Sequence, residues 1–337
     1  KLICQDIASK ERWRGMRSPV EVAAGHQTKV ALLLARLGDV SCARGPLSRA
    51  RVFHTATRLP SGKILLIGGA KSSVSVDSTC SGCLRLEASR YTEIYDPSTG
   101  TFSAAAPLNF PRMLHTATAL DDGRILIAGG TIEALLDPNR PFPIRPIQVL
   151  DSIEIFDPES GEFTVAATSS ADPRVFHAAA LTHAGQVLLT GGVSSDGGSS
   201  NNLGNALDST TLCTVDPVVC APGPKLKLPR AGHVMARMTD GDVVLWGGAV
   251  APVGQDQSET FQLEVYRAQF PDRFDVLAST NMRSERNLFF GASSRVSGTR
   301  VLLAGGLLRH DDGSFEVSSQ ELDGVVRGVA YVFDAAE

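Results

Sequence analysis

A propeller of small antiparallel sheets is the fold that this sequence predicts, and three observations predict it. The phrase HTATRLPSGKILLIGG from His54 returns as HTATALDDGRILIAGG from His115, HAAALTHAGQVLLTGG from His177 and HVMARMTDGDVVLWGG from His233, each with its histidine 14 positions before a glycine doublet. Successive histidines lie 61, 62 and 56 residues apart. That interval holds four short strands and one generous loop, which suits a propeller blade better than a helical repeat. Within each copy, an alternating stretch, a turn and a short apolar run follow one another, the signature of a hairpin.

The elements follow in order. Residues 1–45 read as a degenerate β segment: Val20 to Ala23, the turn Ala24-Gly25-His26-Gln27, Val30 to Leu37 as the most hydrophobic run, and Asp39 to Ala43. Five repeats come next, at about 46–106, 107–168, 169–224, 225–279 and 280–337. In the first, His54 to Leu59 alternates, Pro60-Ser61-Gly62 supplies turn chemistry, and Lys63 to Ile67 is a buried strand stopped by Gly68-Gly69. TEIYDPSTGTF from Thr92 and SIEIFDPESGEF from Ser152 give a third strand, an Asp-Pro turn and a fourth strand. LCTVDP from Leu212, LEVYR from Leu263 and AYVFD from Ala330 are weaker echoes. The fifth copy, GASSRVSGTRVLLAGG, keeps the spacing to Gly305 and Gly306 but has Gly291 in place of histidine, and it ends soon after Asp334. Its fourth strand must come from elsewhere. Six blades, with a degenerate one built from the N-terminal segment, is the preferred count. Five blades closed by an N-terminal strand, with residues 1–37 as an appendage, is the alternative.

From about Pro46 onward the chain resembles the kelch-repeat family, on the in-phase glycine doublets, the downstream E-x-Y/F-D-P beginning at Glu93 and Glu154, and the aromatic of the fourth strand. The resemblance implies four-stranded blades around a central channel. It also brings enzyme precedents, the galactose oxidases and the sialic acid epimerases. The oxidases need a tyrosine crosslinked to cysteine, a second tyrosine and two histidines around copper. The four tyrosines here are Tyr91, Tyr95, Tyr266 and Tyr331, and the last three read as the repeated third-strand aromatic. No copper site and no other cofactor is expected.

Composition agrees with a folded all-β chain: 43% hydrophobic, 20% charged, 32 glycines and a net charge of −4. That balance argues against nucleic acid as a partner, and no apolar run is long enough to span a bilayer. The six cysteines, Cys4, Cys42, Cys80, Cys83, Cys213 and Cys220, are even in number and include two close pairs in turn-rich segments. Disulfides Cys213 with Cys220, Cys80 with Cys83 and Cys4 with Cys42 are the expected pairing, and with them an extracytoplasmic setting, secreted, periplasmic or at the cell surface. The competing reading of Cys80-Ser-Gly-Cys83 as a redox or zinc motif lacks a thioredoxin-like helix and a second C-x-x-C. Lys1 to Cys4 lacks the small residues expected before a lipidated cysteine, so export without an anchor is expected.

The four repeat histidines are expected to bond backbone within their own blades, since equivalent positions around a ring lie too far apart to share one metal ion. The arginines three positions earlier carry the functional expectation. Arg51, Arg112, Arg174 and Arg230 open equivalent innermost strands, with Arg283 or Arg286 as candidates in the fifth repeat. They would either pair with a neighbouring acid such as Asp96 or Asp157, or line one channel mouth as a site for an anionic ligand. The long second-to-third-strand connections share that face. Asp137 to Pro146 is proline-stiffened and Ser194 to Asn205 is rich in Ser, Gly and Asn, with only a weak case for calcium at Asp196. The expected function is therefore a non-catalytic binding propeller for a protein, acidic peptide or glycan, within a larger surface assembly where one exists. A carbohydrate-active enzyme, epimerase-like or oxidase-like, is the alternative, although no paired acid and base marks one.

Overall fold

The computed structural model of the chain describes residues 47–71, 73–78, 80–137, 144–166, 172–194, 206–248 and 263–277, together with the strand backbones Trp13–Met16, Leu33–Arg36 and eight strands between 288 and 334. Among these, four antiparallel sheets of four strands are blades. The first contains Thr55–Arg58, Ile64–Ile67, Thr92–Asp96 and Thr101–Ala104; the second Thr116–Ala119, Ile125–Ala128, Ile153–Asp157 and Glu162–Ala166. The third contains Ala178–Leu181, Val187–Thr190, Thr210–Cys213 and Cys220–Pro222; the fourth Val234–Arg237, Val243–Trp246, Leu263–Tyr266 and Phe274–Leu277. Ala292–Ser297, Arg300–Ala304 and Ala330–Asp334 form three strands of a fifth. The innermost strands of the five blades neighbour one another in succession.

The continuous apolar runs before the glycine doublets are explained by this stacking. A strand in the middle of a blade is covered on both faces, and its alternate residues serve different neighbours. Ile125 and Ile127 pack with Leu65 and Ile67 of the first blade, whereas Leu126 and Ala128 pack with Leu181, Val187 and Leu189 of the third. Leu188, Val243, Leu245 and Phe274 continue the core between the third and fourth blades. The core is thus a series of layers between blades.

Two of the long second-to-third-strand connections carry strands of their own. Ser75–Val76 and Leu84–Glu87 from the first blade join Glu133–Leu136 and Ile144–Pro146 from the second in one further four-stranded sheet. Its register places Val76, Leu84, Leu136 and Ile144 in a single cross-strand row. The next row on that face includes Leu86 and Ala134, buried against Ala70, Ala88 and Met113 with Phe53 and Leu114 alongside. This sheet is a platform seated where the innermost strands begin. In the N-terminal segment, Leu33–Arg36 is a strand and pairs antiparallel with Trp13–Met16. The expected strands Val20 to Ala23 and Asp39 to Ala43 lie outside the described residues.

Candidate functional site

The arginines singled out by the repeat are buried. Arg112, Arg174 and Arg230 are at most 1% exposed, and the Arg51 side chain is at 3%. Each guanidinium reaches the carbonyl of the first glycine in its own blade's doublet: Arg51 to Gly68 at 3.4 Å, Arg112 to Gly129 at 2.8 Å, Arg174 to Gly191 at 3.0 Å and Arg230 to Gly247 at 3.2 Å. The acid partner is the repeated glutamate of the third strand rather than Asp96 or Asp157. Arg51 pairs with Glu93, Arg112 with Glu154 at 2.8 Å and Arg230 with Glu264 at 2.6 Å. The same carboxylates accept backbone amides from the chain entering the blade: Ser48 on Glu93, Asn109 and Phe110 on Glu154, Lys227 and Leu228 on Glu264. Each unit ties the entry loop, the glycine turn and the third strand together. A guanidinium so enclosed cannot meet a ligand without breaking a buried ion pair, which costs about 3–5 kcal/mol. In place of the expected anion-binding ring at the channel mouth, Arg51, Arg112 and Arg230 are internal braces.

The third and fifth blades break the pattern. Arg174 meets Thr211 Oγ1 at 3.1 Å in place of a glutamate, and its nearest carboxylate is that of Asp172, 3.6 Å away and 60% exposed. Burial lowers its pKa to about 10, with Asp172 opposing the shift. In the fifth blade Leu288 holds the arginine's register, opposite Leu308 as Arg51 is opposite Lys71. Arg283 and Arg286 lie outside the described residues. Tyr331 lies opposite Leu303 as Glu93 lies opposite Leu66, so it stands at the glutamate's position. Phe333, opposite Val301, holds the place that Tyr95 and Tyr266 hold in their blades.

The histidine and glycine spacing has its own geometry. The second glycine of each doublet donates its amide to the arginine carbonyl of the next blade: Gly69 to Arg112 at 2.9 Å, Gly130 to Arg174 at 2.9 Å and Gly192 to Arg230 at 2.8 Å. A Cβ on Gly68, Gly129 or Gly191 would collide with that carbonyl and approach the next histidine's Cε1, and a Cβ on Gly69 or Gly130 would strike the histidine of its own blade. Where bonds to backbone within their own blades were expected, His115, His177 and His233 bond across to the preceding blade. His115 Nε2 meets Thr55 Oγ1 at 3.0 Å, His177 meets Thr116 at 2.9 Å and His233 meets Thr190 at 2.7 Å. Burial, with the neighbouring arginine second, drives His177 down to about 3 and His115 and His233 well below the usual imidazole value. These rings are neutral.

One feature was missed from the sequence. Between arginine and histidine, Phe53, Leu114 and Phe176 adopt φ of 60, 58 and 58°, the left-handed region that side chains avoid. The fourth copy held the signal, because Gly232 sits there with φ of 69°. Leu114 donates its amide to the Phe53 carbonyl at 3.0 Å, and Gly232 to that of Phe176 at 2.7 Å. Phe53 and Leu114 also pack with Leu136 and Ile144 of the platform.

Cys80 with Cys83 and Cys213 with Cys220 form disulfides, the latter across paired strands. Cys4 and Cys42, like Asp196 and most of the Ser194 to Asn205 stretch, lie outside the described residues. Cys80, Cys83 and Asp137 bring ligand-type atoms within 4.8 Å of one another. Sulfurs bonded to each other offer no thiolate, so this group is not a metal centre in the oxidised protein.

Residues on the exposed margin of the platform are better placed to meet a partner. Ser73, Val74, Ser75 and Val76 form an exposed run along its outer strand, with Val74 46%, Val76 79% and Leu84 38% exposed. On the other face Arg85 is held by Asp77 and Glu133, both at 2.6 Å.

No family model matches the chain, and neither does a curated protein. The solved structure of YjhT is similar over 83% of this chain and 84% of that one, with a TM-score of 0.56 and 13% sequence identity. Blade stacking, repeat spacing and this likeness agree: the chain folds as a kelch-type β-propeller.

Proposed function

We propose that this protein is a non-catalytic binding propeller, exported and disulfide-bonded, which engages a protein or peptide partner at the platform rather than through the repeat arginines. One observation carries the reading: among the described residues the outer strand of the platform, Ser75–Val76, has strand Leu84–Glu87 on one side only, and its Val76, opposite Leu84, is exposed together with the preceding Val74. An open strand edge offers backbone amides and carbonyls to an extended peptide, and apolar side chains beside it select alternate residues of that peptide. The buried arginine braces lend no support to an acidic ligand at that end. Glycan binding and an epimerase-like or oxidase-like activity have no specific observation behind them.

Selection of a phage-displayed peptide library on the immobilised protein tests the proposal. Enriched peptides should have alternating apolar residues and lose at least tenfold in affinity for Val76→Lys, while Val219→Lys, at another exposed valine, leaves binding unchanged. Equal binding to both variants, or no enrichment, would remove the platform edge as the docking site.

A further inference from the structure

Four blades carry the repeat arginine, and three of them also carry its glutamate. In those three the carboxylate receives the guanidinium and the entering amides together. The third blade retains the arginine, equally buried, but Thr211 replaces the glutamate, paired to Leu189 as Glu154 is to Ile127. Threonine is shorter and neutral. Among the described residues, the contacts of Arg174 are Gly191 O at 3.0 Å, Ser209 O at 3.2 Å, Thr211 Oγ1 at 3.1 Å, Asp172 O at 3.3 Å and, at 3.6 Å, the Asp172 carboxylate. That carboxylate is largely in water and accepts from Ser209 Oγ at 3.0 Å, so its charge is screened where the buried glutamates' charges are not. Residue 172 also occupies one of the two positions whose amides serve the carboxylate in the second and fourth blades. A buried cation lacking a buried counter-charge is the costly half of an ion pair.

We propose that the third blade binds a small monovalent anion, a halide or a simple carboxylate, beside the Arg174–Thr211 pair, in the place that a glutamate carboxylate fills in the first, second and fourth blades. The chemistry of the pair suits it. The Thr211 oxygen accepts from the guanidinium and so directs its own hydroxyl proton outward as a second donor, and the guanidinium supplies the charge. Small size follows from enclosure, since Arg174 is 1% and Thr211 2% exposed. This site is independent of the platform edge.

Thermal unfolding is the test, with sodium chloride and sodium acetate titrated separately at constant ionic strength against a bulky-anion salt, on the native chain and two variants. Thr211→Glu should unfold at a higher temperature than the native chain in the bulky-anion salt and show no specific response to either small anion, because it carries its own carboxylate. Thr211→Val, which keeps the size and loses the donor, should have a diminished response. An anion present at 100 times its dissociation constant shifts the native folding equilibrium about a hundredfold, and crystals soaked in bromide should show it beside Arg174. A native response no larger than that of Thr211→Val in both salts, or bromide only elsewhere, overturns the proposal. A response to acetate and not to chloride would assign the site to carboxylates alone.

Discussion

Arg112 and Glu154 show how a repeated residue can imitate a binding site in sequence. Both are fully buried and meet at 2.8 Å, so converting Glu154 to glutamine leaves a guanidinium without its counter-charge and should cost about 3–5 kcal/mol, read as a fall in the urea midpoint. Gly129 and Gly161 separate two reasons for glycine. Both have positive φ, but a Cβ on Gly161 meets nothing within 4 Å, whereas one on Gly129 strikes the Arg174 carbonyl. Gly161→Ala should cost only the left-handed backbone term, roughly 1–2 kcal/mol, and Gly129→Ala clearly more, because backbone there must move. The spacing of arginine, histidine and glycine was legible because repetition prints it four times. Its meaning was not. Burial and the arginine's acid partner depend on the third strand some 40 residues away, and the left-handed conformation of Phe53 was hidden behind a residue type that ordinarily avoids it.

Among the elements, the blade strands were readable because each has a hydrophobic period and a turn of known chemistry at its end. The platform was not, because it joins segments about 50 residues apart from two blades and neither half is a sheet alone. The short disulfides divide the same way. Cys213 and Cys220 face each other across a hairpin, and Cys80 and Cys83 close the turn beyond the platform's outer strand. Peptide mapping of unreduced protein should recover both as local bridges, and an intermolecular or scrambled pattern would undo the pairing. Loops this short give a chain-entropy gain of about 2 kcal/mol each, so reduction should lower the thermal midpoint without abolishing folding.

At the scale of the whole ring, neutral histidines between blades couple stability to pH. His115, His177 and His233 are buried, and burial holds their folded pKa values below the ordinary 6.5, to about 3 for His177. The unfolded chain therefore binds more protons than the native one once the pH falls below about 6.5. Stability contributed by these rings is complete above that value and lost progressively as the pH falls toward the folded pKa. Three protons taken up on unfolding correspond to a slope of about 4 kcal/mol per pH unit well below pH 6.5. Urea midpoints measured between pH 7.5 and 5 should fall accordingly. Each ring bonds a hydroxyl of the preceding blade, so the loss should be cooperative across the stack instead of confined to one blade. His177→Asn should be less stable than the native chain at pH 7.5, and its slope should be shallower by about 1.4 kcal/mol per pH unit, one proton's worth. An unchanged slope in that variant would mean that the acid response originates in the carboxylates and that the histidines serve packing alone.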